Sequence, residues 1–172
     1  MMTPSPPAPD LGIVDGLVQT SMLVVSALAA AAAPHELSML QCRLLGVLRD
    51  REPTMAQLAR LLGLDKSSTT GVVDRAQRRG LVERVADPGD GRAWRVVLTA
   101  GGRALTEMAL ADVNRQIMAL TDGLGDVDRD RLSLLTSQIV ARHADRHGID
   151  PTAGMIPSAP LARRERDRDD PV

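Results

Sequence analysis

Residues 54–80, TMAQLARLLGLDKSSTTGVVDRAQRRG, carry two helix starts and two helix stops in a stretch that leaves room only for two short helices and a tight turn. Thr54 with Gln57 three positions on is a capping-box pattern, in which each side chain satisfies a free backbone amide of the first turn. Met55, Leu58, Ala59 and Leu62 then share one face. Gly63 ends that helix as a glycine able to take the left-handed conformation. Asp65 caps the next helix, which is expected to run to Arg79 and stop at Gly80. Val72, Val73 and Ala76 form its apolar face, which must pack back onto the first helix.

Beyond Gly80 the period shifts from helical to alternating. Leu81–Ala86 and Ala93–Leu98 read as strands, with Trp94, Val96 and Leu98 at alternate positions of the second. The intervening DPGDGR, Asp87–Arg92, is dense in turn residues and makes the pair a hairpin. Thr99 caps a helix with Leu105, Met108, Ala109, Val113, Ile117 and Leu120 as its stripe. Gly123 and Gly125 break the chain, and a last helix is expected over about 126–147 with Leu132, Leu135 and Ile139 inward.

Upstream, Ser38 and Gln41 form another capping box, opening a helix that carries Leu40, Leu44, Leu45, Val47 and Leu48. Before it, Leu11, Val14, Val18, Met22, Val25 and Ala29 mark a helix over about 10–33, stopped by Pro34. Its second half, MLVVSALAAAAA, is apolar around most of its circumference, so it needs burial on several sides. In a small protein that points to a partner subunit. The expected organisation is a disordered arm (1–9), a first dimerisation helix (10–36), the helix-turn-helix and hairpin lobe (37–100), two further dimerisation helices (101–148) and a disordered tail (149–172) carrying RRERDRDD.

The 172 residues hold 44% apolar and 25% charged side chains, one Trp, and neither Tyr nor Phe. The core is therefore aliphatic, which favours helices. Cys42 stands alone, so no intrachain disulfide forms, in keeping with a reducing cytoplasm. The first ten residues show no signal-peptide pattern. The most apolar stretch, Met22–Ala33, falls short of the roughly 20 residues that cross a bilayer, and no membrane partner is expected.

A net charge of −1 gives the whole molecule no affinity for polyanions. The local balance differs. Residues 54–103 contain nine basic and five acidic side chains, a net of +4. The start of the second helix of the pair presents Lys66, Ser67, Ser68, Thr69 and Thr70, short polar groups of the kind that approach base edges in a major groove. Its amino terminus adds attraction for phosphate. Arg75, Arg78 and Arg79 follow along the helix, and Arg84, Arg92 and Arg95 lie on the hairpin. These observations imply binding to double-stranded DNA.

The run LSMLQCRLLGVLRDREPTMAQLARLLGLDKSSTTGVVDRAQRRGLVERVADPGDGRAWRVVLTAGGRAL, about 37–105, resembles the MarR family of bacterial transcriptional regulators. The most specific parts are VDRAQRRGLVER and ADPGDGRAWRVVLTAGG. The resemblance implies a mainly α fold with a small β-hairpin wing, a winged helix-turn-helix whose N- and C-terminal helices form a dimerisation region. It implies a homodimer that acts as a repressor on a pseudo-palindromic operator, with a small-molecule effector as a further partner. By position it places Ser67, Ser68 and Thr70 toward the major groove, Asp90 as wing brace and Arg92 at the wing tip. Two departures stand out: Gly71 and Gly91 occupy positions where the family often has arginine, and Gly71 costs about 1 kcal/mol of helix stability relative to Ala.

Other readings are weaker. Gly71 and Gly91 are compatible with a winged-helix protein-interaction module that has lost operator binding. Cys42 is expected in the core of the second helix rather than in a redox switch. His143 and His147 lie four apart on the last helix, but no third metal ligand is near in sequence. No paired carboxylates or phosphate-binding glycine loop suggest an enzyme, and no cofactor is expected.

Overall fold

The computed structural model describes residues 9–89 and 93–147. The expected tail, the greater part of the arm, and Asp90, Gly91 and Arg92 lie outside the described residues. The elements are α1 (Gly12–Ala32), a 3-10 turn (Ala33–His35), α2 (Met39–Arg49), α3 (Met55–Leu62), α4 (Lys66–Arg78), β1 (Val82–Ala86), β2 (Trp94–Leu98), α5 (Ala100–Ala119) and α6 (Asp126–His147). The result is a mainly helical chain with one antiparallel hairpin.

The caps form as the residue types dictate. Ser38 with Gln41 and Thr54 with Gln57 are both complete capping boxes. Gly63 closes α3 at φ +66°, donating its N–H to the carbonyls of Ala59 and Arg60. Pro34 does more than stop α1: it sits inside the 3-10 turn, which ends with Glu36 in the left-handed conformation at φ 53°. That turn is the corner between α1 and the rest of the chain.

One aliphatic core holds the lobe together. Leu44, Leu45, Val47 and Leu48 of α2, Leu58 and Leu62 of α3, and Val72, Val73 and Ala76 of α4 are buried with Val82, Val96 and Leu98 of the hairpin. In the hairpin Val82 pairs with Leu98 and Ala86 with Trp94. The chain before α3 adds a short third edge: the Val96 N–H donates to Pro53 O at 2.9 Å, and Thr54 bridges Arg95. Trp94 shares the strand parity of Val96 and Leu98 yet is 53% exposed, because it lies at the outer end of β2 beyond the core.

The junction of hairpin and α5 depends on a missing side chain. A Cβ on Gly102 would lie 1.8 Å from Leu81 O. Around it, the Thr99 N–H donates to Leu81 O at 3.1 Å and the Thr99 hydroxyl to Gly80 O at 2.6 Å. The wing is thereby fixed to the first turn of α5.

The terminal helices differ from expectation in one respect. Leu132, Leu135 and Ile139 are not inward: they are 40%, 48% and 53% exposed, and Ala144 is the one buried residue among the described side chains of α6. On α1, which packs against α5, Ile13, Val14, Leu17, Val18 and Met22 are exposed as well. Among the described residues no element lies over these faces. The α1 segment also corrects the reading of Met22–Ala33 as too short: over Gly12–His35 the helix is long and apolar enough to cross a bilayer, with mean hydropathy 1.7. Length and composition alone also describe an interface helix with an uncovered face.

Candidate nucleic-acid interface

Helix α4 has a buried face and an open one. Val72, Val73 and Ala76 seat it on α2 and α3, so Lys66, Ser67, Ser68, Arg75 and Arg78 point to solvent. Thr69 does not belong with them. It is 1% exposed and its hydroxyl donates to Asp65 O at 2.8 Å, because its position in the helix lies on the core side. Thr70 is half-buried and donates to Lys66 O at 2.9 Å.

Asp65 organises the start of this helix. Its carboxylate accepts from the Ser68 N–H at 2.8 Å and from the Ser67 and Ser68 hydroxyls, each at 2.7 Å. Three donors hold the Asp65 carboxyl well below the usual carboxylate range, the Ser67 hydroxyl first among them. Two consequences follow. The helix amino terminus already carries its own anion, which reduces the attraction for phosphate expected from the free amides. Each serine hydroxyl, its proton directed at Asp65, offers lone pairs outward, which suits the amino groups of cytosine and adenine.

Three of the expected arginine contacts are spoken for within the fold. Arg79 donates to Glu36 O at 2.7 Å and His35 O at 3.0 Å, tying the end of α4 to the 3-10 turn. Arg84 donates to Asp74 Oδ1 at 2.5 Å and Gln77 Oε1 at 2.8 Å, fastening β1 to α4. Arg95 was expected at the DNA, and the structure gives it another task. Its guanidinium grips Asp87 at 3.1 and 3.3 Å and lies 3.6 Å from Glu52 Oε2. Asp87 in turn accepts from the Gly89 N–H at 2.7 Å, and the Asp87 N–H donates to Ala93 O at 2.9 Å. Asp87 therefore braces the base of the wing. Both Asp90, the brace expected from sequence, and Arg92 lie outside the described residues.

Sequence reading missed these pairs because it summed charges along the chain. One signal was present: Arg95 has the opposite parity to Val96 and Leu98, so it had to leave the core on the other face of β2. A further pair was invisible. His35 Nε2 lies 2.8 Å from Asp112 Oδ2, joining the 3-10 turn to α5, and this contact with Arg115 beside it holds the Asp112 carboxyl below its ordinary range. Cys42 is half-buried against the core, and burial pushes its thiol up, away from the reactive thiolate. Among the described residues no cluster of metal-ligating side chains occurs.

The MarR family model matches residues 35–93, from the 3-10 turn through the wing to the start of β2. The same architecture recurs across whole relatives of known structure. Residues 35–93 are a MarR-family match, and the described fold is similar to that of solved MarR-family regulators. The chain is also similar to the HTH-type transcriptional repressor NicR of Pseudomonas putida, 37% identical over 93 residues. That alignment takes in 54% of this chain and 58% of NicR, so the chain spans less than two thirds of the curated relative's length. Wild-type MarR of E. coli in its apo form is 25% identical with a TM-score of 0.65, over 76% of this chain and 98% of that one. The repressor CouR, bound to a 23-mer DNA duplex, is 27% identical with a TM-score of 0.64, over 74% and 92%. CouR from Rhodococcus jostii RHA1 has also been solved bound to p-coumaroyl-CoA, matching here at 27% identity and a TM-score of 0.60, over 72% and 87%.

Set beside the MarR family it resembles, the open face of α4 is sparse in charge. Gly71 lies at the middle of α4, where the family often has arginine, and the cations that remain without an acid partner on the open face are Lys66, Arg75 and Arg78. A hollow of about 420 Å³ opens on the lobe beside Arg51, Pro53, Gln57, Arg60 and Leu61.

Proposed function

We propose that this protein is a transcriptional regulator, a repressor, that binds duplex DNA as a homodimer. One observation carries the proposal: α4 buries one face completely and leaves Lys66, Ser67, Ser68, Arg75 and Arg78 together on the other, beside a braced wing. That is the geometry a recognition helix needs to enter a major groove. NicR is named as a repressor and CouR binds a DNA duplex, which supports extending the same role to this chain.

The exposed apolar residues of α1 and α6 are the surface for a second copy, setting two reading heads about one helical turn apart on a pseudo-palindromic site. We assign Thr70 and Arg92 to the contact set as well, Arg92 for the minor groove as the family resemblance implies. A small-molecule effector that favours one head spacing over the other would release the DNA, as a ligand must bind the two states unequally to shift them. CouR, solved with p-coumaroyl-CoA, supports this class of partner. The site of action is the cytoplasm.

The test is a gel-shift titration of the full chain against DNA selected from the source genome, repeated across salt concentrations. Specific binding with a steep salt dependence supports the regulator. Binding that shows neither specificity nor a salt slope overturns it, and leaves the protein-interaction reading in its place.

A further inference from the structure

We infer that Gly71 is a seat for the Arg75 guanidinium, and that this seat presents Arg75 to DNA at the middle of the recognition helix. The inference rests on the DNA-binding reading proposed above. Three observations lead to it.

The first is spacing. Ser67, Gly71, Arg75 and Arg78 recur at intervals of four, four and three, so they form one stripe along α4. This stripe lies opposite the buried Val72, Val73 and Ala76 face. The second is contact. A Cβ placed on Gly71 would lie 3.4 Å from Arg75 Nη1, and beyond the neighbouring residues and the helix's own backbone no other described group comes within 4 Å of it. The long arginine side chain thus folds back toward the amino terminus of α4, as helical side chains do, and its charged end rests over the bare backbone at Gly71. The third is charge. Arg79, Arg84 and Arg95 are held by carbonyls or carboxylates, and Asp74, the acid beside Arg75 in sequence, is taken by Arg84. Nothing in the described fold claims Arg75.

Glycine is an expensive residue at this place. It weakens a helix interior relative to alanine, and its φ here is not one that requires glycine. A larger side chain at position 71 would occupy the space where the guanidinium lies and swing it off the stripe. The missing side chain at 71 and the arginine at 75 are therefore one device: the charge sits near position 71, toward the base edges, although it is anchored a turn later. The groups it meets there are guanine O6 and N7, for which guanidinium is the matching donor.

A double-mutant cycle on the full chain tests this, using a duplex selected by the wild-type protein from random double-stranded DNA. Arg75→Ala should weaken binding by about tenfold and relax the preference for guanine at one base pair of each half-site. Gly71→Leu should weaken it to a similar extent, while melting no lower than wild type because leucine favours the helix. In the Arg75→Ala background, Gly71→Leu should have no further effect. The seat is overturned if Gly71→Leu binds as tightly as wild type, or if its loss is as large without Arg75 as with it. A uniform loss for Arg75→Ala, with the salt slope reduced by about one and base preference unchanged, overturns the assignment to guanine by placing the charge on phosphate. Failure of the wild-type chain to select any duplex is a different result, and it strikes the DNA-binding reading itself.

Discussion

Arg95 on β2 and Asp87 at the end of β1 close the base of the wing, with guanidinium nitrogens 3.1 and 3.3 Å from the two carboxylate oxygens. The pair crosses the hairpin just where the ladder ends, and Glu52 reinforces it from the chain that leads into α3. A charge that the sequence offered to DNA is thereby spent on shape. The Asp87 carboxylate, with Glu52 beside it, raises the pKa of Arg95 further.

Removing this brace should loosen the wing and leave the core intact. Asp87→Ala is expected to speed hydrogen exchange at the amides of β1 and β2 while the melting temperature changes little. Unaltered protection of those amides would show that the ladder alone holds the wing.

Gly102 is the position least tolerant of a single methyl. Its Cβ would meet the backbone carbonyl of Leu81, which cannot rotate away. Gly102→Ala should therefore destabilise the protein by about 1–3 kcal/mol in urea denaturation, the range of overpacking. The strand start at Leu81 and the first turn of α5 must separate to admit it. A loss below about 0.5 kcal/mol would mean that this junction is soft, in the range typical of surface substitutions.

Acid should act on α4 through Asp65. Its carboxyl titrates below the unfolded value, so its contribution is present in full above the unfolded carboxylate range. As pH falls through the lower, folded pKa, the contribution is lost. Asp65→Ala should thus lower the melting temperature at neutral pH, and the gap from wild type should close as the solution becomes strongly acidic. A gap that stays constant down the titration would assign the effect to packing rather than to the charged cap.

The open and buried sides of α4 should separate in binding. Thr69→Val keeps the volume of a buried side chain and is expected to leave DNA affinity within about twofold. Lys66→Ala and Arg78→Ala should each weaken binding evenly across sequences and lower the salt slope by about one. A strong effect of Thr69→Val on sequence preference would reverse this assignment of faces.

The α6 surface should control assembly. Leu135→Glu with Ile139→Glu places two charges on residues that are 48% and 53% exposed in the single chain. Sedimentation should report a dimer for the wild-type chain and a monomer for the variant, with helical content unchanged. A dimer that survives both charges would move the interface to another face.

Much of the reader was legible because its signals are local. Ser38, Thr54, Asp65 and Thr99 cap the helices that follow them, and Gly63 and Gly80 take positive φ where the helices end. These features depend on residues three or four apart, so a linear reading reaches them. The same reading placed Thr69 in the open cluster, since a run of hydroxyl residues does not show which of them turns inward. It also counted Arg79, Arg84 and Arg95 as available charge, because their partners lie across the fold, as distant as His35 and Glu36 are from Arg79.

By itself, then, the sequence determined the order of the helices, their caps, the hairpin and the family resemblance, all of which follow from short-range backbone chemistry. Only the tertiary structure decided which cations remain free, which acid braces the wing and which apolar stripes are left uncovered. The reason is physical. Ion pairing and burial depend on distance in space, and the packing of α4 against α2 and α3 sets those distances. Arg75 resting over Gly71 is the one case where both levels meet: the spacing is written in the chain, and the contact exists only once the helix has turned its other face to the core.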